Sequence, residues 1–112
     1  MSSIKINASL FKRADKILKQ NQTNFAHQFN LVLKQMVKMD QVPFGLEEYD
    51  TKDKNDQVFD LSQLNAQLLK SGKQVLNSMD IPLEYVINGY CRRIILQGQV
   101  PQFKVNFTPY QN

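Results

Sequence analysis

The stretch that decides the fold is FAHQFNLVLKQMVKMDQVP, residues 25–43, because its pattern returns 58 positions later as LEYVINGYCRRIILQGQVP, residues 83–101. Apolar residues recur in both stretches at intervals of three and four, the spacing of the buried stripe on an amphipathic helix. We therefore predict one long helix in each copy. Its core-facing residues are Phe25, Phe29, Val32, Leu33, Met36 and Val37 in the first copy and Leu83, Ile87, Tyr90, Cys91, Ile94 and Ile95 in the second.

The repeat extends to a shorter helix in front of each long one. Over residues 10–43 compared with 68–101, seven of 34 positions are identical, whereas ordinary composition gives about two. Ser9 is the expected N-cap of the first short helix, and Pro82 is expected in the first turn of the second long helix. The apolar stripe of the first short helix is Leu10, Phe11, Ala14, Ile17 and Leu18, and that of the second is Leu68, Leu69, Gly72, Val75 and Leu76.

A short strand is predicted before each pair of helices. Residues 2–7 alternate, with Ile4 and Ile6 on one face and Ser3, Lys5 and Asn7 on the other. Residues 58–62 are a second strand candidate. If Phe59 and Leu61 point inward, Asp60 and Ser62 point outward, whereas the inverted face would expose Phe59 and Leu61 to solvent. The two strands align only after a shift of about three residues from the helical offset.

One strand and two helices cannot close a core, because the strand leaves both edges open and both helical stripes need a partner. Two copies solve this by pairing their strands antiparallel above four interlocking helices. We therefore expect a mainly α fold with a short β-ribbon around one shared four-helix core. Asn30 and its equivalent Asn88 are expected to form hydrogen bonds where helices meet.

The sequence divides into four parts that we expect to pack as one globular domain. They are the first repeat at residues 1–43, an acidic linker at 44–57, the second repeat at 58–101 and a tail at 102–112, which is a candidate for an extra strand.

Composition and charge limit the function classes. Apolar residues make up 42% and charged residues 21%, as in soluble globular proteins, and no apolar run approaches the roughly 18 residues of a membrane span. Residues 4–7 interrupt any signal-peptide core, and a single cysteine excludes an internal disulfide, so we expect a reducing, cytoplasmic location. The net charge of +4 comes from +5 in residues 1–43, −4 in 44–60 and +3 in 61–112, which favours a polyanionic partner.

In order and spacing the motifs resemble ribbon-helix-helix proteins, specifically the RelB/DinJ antitoxin family. The segments that carry the resemblance are Gln28-Phe29-Asn30, Leu33-Lys34-Gln35 and Val42-Pro43-Phe44, and in the second copy Val86-Ile87-Asn88, Cys91-Arg92-Arg93 and Val100-Pro101. Members of the family usually have one copy per chain and dimerise. The resemblance therefore implies a tandem pseudo-dimer in one chain, with further pairing of chains left open.

The resemblance also implies a DNA-binding regulator whose β-ribbon enters the major groove of an operator while the long helices hold phosphates. Asp60 on the second strand argues against a ribbon whose two strands read DNA in the same way. Phosphates repel its carboxylate, unless the carboxylate accepts a hydrogen bond from a cytosine base. The DNA-binding residues expected from the resemblance are Ser3, Lys5, Asn7, Lys12, Thr23, Asn24 and Lys70. The alternative for Ser3, Lys5 and Asn7 is the solvated face of a strand, and for Lys12 and Lys70 it is the solvated face of a helix.

Two segments are candidates for binding a small basic toxin or another protein. The acidic linker carries the charge that would attract a basic partner. The alternating tail is a strand that either pairs with the edge of a partner's sheet or folds onto the protein's own core as an edge strand. An alternative function is a phage- or plasmid-borne inhibitor or adaptor that uses the same scaffold without reading DNA. The expected partner-binding residues are Glu47, Glu48, Tyr49, Asp50, Phe103, Val105, Phe107 and Tyr110.

We expect no enzyme activity, no cofactor and no metal site. His27 has no second histidine, cysteine or acid at a ligand spacing, and Cys91 lies in an apolar stripe, which predicts a core thiol.

Overall fold

The computed structural model describes residues 2–44 and 53–101, which are mainly helical with a small two-stranded antiparallel sheet. Within those two ranges, no helix is both long enough and apolar enough to cross a membrane. The elements are strand β1 (Ser3–Ile6), helices α1 (Ala8–Gln20) and α2 (Phe25–Met39), strand β2 (Gln57–Asp60), a short 3-10 helix (Leu61–Gln63), and helices α3 (Ala66–Met79) and α4 (Leu83–Gln97).

The helices repeat at the offset seen in the sequence. α1 and α3 begin 58 residues apart, and so do α2 and α4. The turns follow the same offset: φ is 56° at Gln22 and 58° at Asp80, and 57° at Asp40 and 68° at Gly98. All four residues adopt the left-handed conformation that commonly ends a helix. The predicted order of a short and a long helix in each copy is confirmed.

The N-caps of the two short helices also repeat, although the prediction for Ser9 was wrong. The cap of α1 is Asn7, whose Oδ1 accepts a hydrogen bond from the Leu10 N–H at 2.9 Å. Asn65 caps α3 in the same way, accepting from the Leu68 N–H at 2.9 Å. Because the Asn7 side chain turns toward the helix, its predicted place on the outer face of the strand is also corrected.

Each helix packs mainly on a helix of the other half, α1 on α4 and α2 on α3. Two hydrogen bonds join the halves at equivalent places. The Asn7 backbone N–H donates to Asn88 Oδ1 at 3.0 Å, and the Asn65 N–H donates to Asn30 Oδ1 at 2.9 Å. The prediction that Asn30 and Asn88 form hydrogen bonds between helices is confirmed.

An aromatic cluster fills the space below the sheet. The ring centroid of Phe25 lies 5.3 Å from those of Phe11 and Phe29, 5.5 Å from Phe59 and 6.0 Å from Tyr90. These rings come from α1, α2, β2 and α4, so the cluster ties both halves together. Of the predicted long-helix stripes, all members are buried except Ile95, which is partly buried, and Val37, which is 40% exposed and corrects the prediction.

The ends of the predicted linker belong to the packed structure. Phe44 is buried, and its ring stacks on Tyr90 at 5.9 Å. At the other end, Arg92 Nη1 donates to Asp53 at 2.8 Å, and Asp56 accepts from the Ala8 N–H at 3.0 Å. Residues 53–56 thus lie against α4 and the start of α1, while residues 45–52 and the tail 102–112 lie outside the described residues.

Gly72 allows α3 to approach α2 closely. A β-carbon on Gly72 would lie 2.7 Å from Leu33 Cδ2. At the 58-residue offset, Ala14 corresponds to Gly72 and Cys91 to Leu33. The residues at the equivalent positions of the other half are thus a larger residue in place of glycine and a smaller one in place of leucine.

Replacing Gly72 with alanine is expected to lower the free energy of unfolding by about 1 kcal/mol. The added methyl group overpacks the contact with Leu33, and this costs more free energy than the higher helix propensity of alanine contributes. Leu33→Cys should cost less in the Gly72→Ala background than in the wild type, with a coupling energy of about 1 kcal/mol. Urea unfolding of the four proteins measures this coupling. Leu31→Ala is the control, because Leu31 is an exposed residue on α2, the helix of Leu33, and its effect should be additive with that of Gly72→Ala. If the effects of Gly72→Ala and Leu33→Cys were additive, the close packing of these two residues would be contradicted.

Candidate nucleic-acid interface

Four side chains form the solvent-facing side of the sheet, and we call them the ribbon face: Ser3, Lys5, Val58 and Asp60. The antiparallel register places Lys5 opposite Val58 and Ser3 opposite Asp60. Opposite side chains in such a pair have β-carbons about 5 Å apart. All four are exposed, including Val58 at 61%. The ribbon face therefore offers a cation, an anion, a hydroxyl and an uncovered pair of methyl groups within a small area.

Burial gives the inward side of each strand. Ile6 in β1, Phe59 in β2 and Leu61 after β2 are all buried, so burial fits offsets of 53 and of 55 between the strands. Both differ from the offset of 58 between the helices, and the offset of 55 is the shift of about three residues predicted from the sequence. Lys5 and Asp60 carry opposite charges on the outward side. The predicted outward orientation of Ser3, Lys5 and Asp60 is confirmed.

Asp60 is held in place by the turn that follows its strand. Its Oδ1 accepts a hydrogen bond from the Ser62 N–H at 2.9 Å and thereby caps the 3-10 helix. Hydrogen bonds from Ser62 lower the pKa of the Asp60 carboxyl. The ribbon face therefore carries a fixed negative charge at neutral pH.

The N-terminus of α2 is suited to an anion. Asn24 Oδ1 accepts from the His27 N–H at 2.8 Å, and Thr23 Oγ1 accepts from Gln28 Nε2 at 3.0 Å. The first turn contains no acidic residue. Backbone N–H groups and the helix dipole make such an end favourable for phosphate.

The N-terminus of α4 differs in each of these respects. Pro82 is the N-cap itself, one position earlier than predicted, and it makes no side-chain cap. Glu84 lies in the first turn, and Asp80 lies just before the helix. These two carboxylates oppose a phosphate at this end. The two equivalent helix ends therefore have different preferences for anions.

The chain was compared with models of protein families, with curated proteins and with solved structures, and none of them matches. What this surface binds is therefore inferred from its own chemistry.

Lys12 on α1 and Lys70 on α3 are both exposed at equivalent positions. Lys70 and Lys73 line an open groove at the edge of the sheet, together with Ser2 and Ser62. This groove brings two cations close to the otherwise acidic second strand.

The other predicted residues divide into those the structure explains and those it does not describe. His27 is exposed, and Cys91 is buried, as expected of a core thiol, with burial raising the pKa of its thiol. Among residues 2–44 and 53–101, no three histidine, cysteine or acidic side chains converge on a point where a metal ion could bind. The predicted partner-binding residues Glu47, Glu48, Tyr49, Asp50, Phe103, Val105, Phe107 and Tyr110 lie outside the described residues.

Sequence reasoning missed Asn65 and gave Asn7 the wrong place, although the signal was present. Both are asparagine, and they are 58 residues apart, just before the compared window that begins at Leu10. Extending the comparison by three residues would have shown two equivalent N-caps.

Proposed function

We propose that the chain is a tandem ribbon-helix-helix protein, in which two copies form a pseudo-dimer around one shared core. The 58-residue offset of the helices, the packing of each helix on the opposite half and the reciprocal asparagine hydrogen bonds support this arrangement. A dimer of two identical ribbon-helix-helix chains requires the same pairing of strands and helices.

The function that this arrangement supports best is binding of double-stranded DNA as a transcriptional regulator. The observation that carries the proposal is the exposed ribbon face, on which Ser3 and Lys5 point away from the core. A two-stranded ribbon fits the major groove, where lysine donates to the O6 and N7 acceptors of guanine. The acid-free N-terminus of α2 then holds a backbone phosphate, with the Thr23 and Asn24 turn next to it.

The antitoxin-like role extends this proposal to a protein partner. A basic ribonuclease toxin would be attracted by the acidic segment 44–60, which has a charge of −4. A gene for such a toxin next to the gene of this protein would favour this role over that of a free-standing repressor.

DNA binding is tested by titrating the chain against a labelled duplex of about 30 base pairs from upstream of its own coding sequence, long enough for several turns of contact. The dissociation constant should rise with salt, with a logarithmic slope of about −0.9 per phosphate contact. Lys5→Ala should weaken binding about tenfold at fixed salt, because it removes a base contact.

Lys34→Ala is the matched control, since it removes an equal charge from an exposed position in the second half of α2, away from the ribbon. It should leave the affinity within about twofold of the wild type, because a remote surface charge is largely screened. Equal losses from the two substitutions would show a general charge effect and contradict base reading by the ribbon.

A second candidate is a protein-binding adaptor in which DNA reading is lost. The negative charges of Asp60, Asp80 and Glu84 in the second half favour it, because they oppose a phosphate backbone. Absence of any salt-dependent DNA binding at micromolar protein would favour this candidate.

A further inference from the structure

The open groove at the edge of the sheet, which we call the α3 groove, has a volume of about 540 Å³ and lies where β2 ends and α3 begins. Its lining includes two cations, Lys70 and Lys73, the first residue of α3, Ala66, and the serines Ser2 and Ser62. All five residues are exposed. Lysine ammonium groups, hydroxyls and backbone N–H groups at the start of a helix are common phosphate donors in proteins. The α3 groove therefore has the chemistry of an anion site.

The other half of the molecule binds an anion at the equivalent helix start. Ala8, the first residue of α1, corresponds to Ala66 at the offset of 58. The Ala8 backbone N–H donates to the carboxylate of Asp56 at 3.0 Å. Among residues 2–44 and 53–101, no carboxylate takes this place at Ala66, which lies open in the α3 groove. The first half thus shows which kind of group fits the start of a short helix, and the second half leaves that position accessible.

The charges along the two short helices also differ. Lys73 has no equivalent cation in the first half, because at the offset of 58 it corresponds to Asp15, which forms an ion pair with Lys19 at 3.0 Å. Asp60 adds one negative charge next to the α3 groove, through its hydrogen bond from the Ser62 N–H. Lys70 and Lys73 together exceed that charge, so the α3 groove remains favourable for an anion.

The long helices differ in the opposite direction. The first turn of α2 contains no acid, whereas α4 has Glu84 in its first turn and Asp80 just before it. A phosphate is therefore opposed at the start of α4 and favoured at the start of α3. In the first half, Asp56 occupies the start of α1, and the start of α2 suits an anion. Each half thus has one helix start suited to a phosphate, and it belongs to a different helix in each half.

We infer that the α3 groove binds one phosphate of the DNA backbone, held by Lys70, Lys73 and the Ala66 N–H. This inference rests on the proposed function. The major groove is about 12 Å wide, so a surface next to a ribbon inserted in it meets the phosphates at its border. Phosphate contacts fix the register and orientation of a protein on the duplex. The two halves therefore anchor the ribbon through helices that are not equivalent, α2 in the first half and α3 in the second.

The test is titration of the full chain against a duplex of about 30 base pairs at several salt concentrations. Lys70→Gln combined with Lys73→Gln should reduce the logarithmic salt slope by about 0.9, the value for one phosphate, and weaken binding about fivefold at about 0.15 M salt. The loss should be the same for duplexes of different sequence, because phosphates carry no sequence information. Lys34→Gln combined with Lys38→Gln is the matched control. It removes the same charge from exposed positions in the second half of α2 and should change the affinity by less than about twofold.

A second measurement locates the phosphate with neutral methylphosphonates, placed one at a time along the duplex. At one position, this replacement should weaken binding by the wild type and by the control about fivefold and leave binding by the Lys70 and Lys73 double variant unchanged. If both double variants lost the same affinity, or if no such position existed, the inference would be overturned and DNA binding would stand. Failure to bind any duplex in a salt-dependent manner would instead overturn the proposed function, and the inference with it.

Discussion

Phe25→Ala is expected to lower the free energy of unfolding by about 3–5 kcal/mol, the largest effect of any single substitution considered. Phe25 is 3% exposed, and its ring contacts aromatic rings from α1, α2, β2 and α4. Removing it leaves a cavity where both halves meet. Because a domain of this size is stable by only about 5–15 kcal/mol, much of the stability would be lost. Urea unfolding followed by far-ultraviolet circular dichroism measures the change.

Leu31→Ala on the same helix is the control for Phe25→Ala. Leu31 is 47% exposed, so its truncation should change the free energy of unfolding by no more than about 0.5 kcal/mol. A loss below about 1 kcal/mol for Phe25→Ala would mean that the cluster repacks without it.

Asn88→Ala is expected to cost about 1–3 kcal/mol, because it leaves the Asn7 backbone N–H without the oxygen that accepts from it. Asn88 is 1% exposed, and its Nδ2 also donates to Asn55 Oδ1 at 2.8 Å. Truncation therefore removes one hydrogen bond between the halves and one to the segment that connects them. Urea unfolding measures this loss under the same conditions.

Asn30→Ala is the matched comparison, because Asn30 accepts the equivalent hydrogen bond from the Asn65 N–H in a more exposed position. Its cost should be lower, about 0.5–1.5 kcal/mol, since water can reach the donor it leaves behind. A larger loss of unfolding free energy for Asn30→Ala than for Asn88→Ala would show that burial does not control the strength of these two equivalent hydrogen bonds.

The helices could be predicted from the sequence because two signals agree: the apolar spacing within each copy and the recurrence of that spacing between copies. The error at Val37 has a local cause, since it lies at the edge of the predicted stripe. The N-cap of α1 was within reach of the sequence, because Asn7 recurs as Asn65 at the helical offset and its capping bond to the Leu10 N–H is local. The hydrogen bond from the Asn7 backbone N–H to Asn88 joins residues 81 positions apart and requires the structure.

The ribbon face could be predicted only in part. Alternation assigns Ser3, Lys5 and Asp60 to the outside, but it does not give the register between the strands. The pairing of Lys5 with Val58 and of Ser3 with Asp60 requires the structure. Glu84 and Asp80 can be read from the sequence, but their effect on anion binding depends on where they lie. The structure places them at the N-terminus of α4, which is equivalent to the Asn24 end of α2.

The reciprocal asparagine hydrogen bonds have a consequence for how the stability of this protein depends on its concentration. Each short helix begins with a backbone N–H that is bound by the opposite half. In a dimer of separate chains, such bonds form only when two molecules meet, so dilution favours unfolding. Here both halves are on one chain, and a short connection gives them an effective concentration of about a millimolar. The hydrogen bonds between the halves therefore form within one molecule, and their contribution to folding does not depend on the protein concentration.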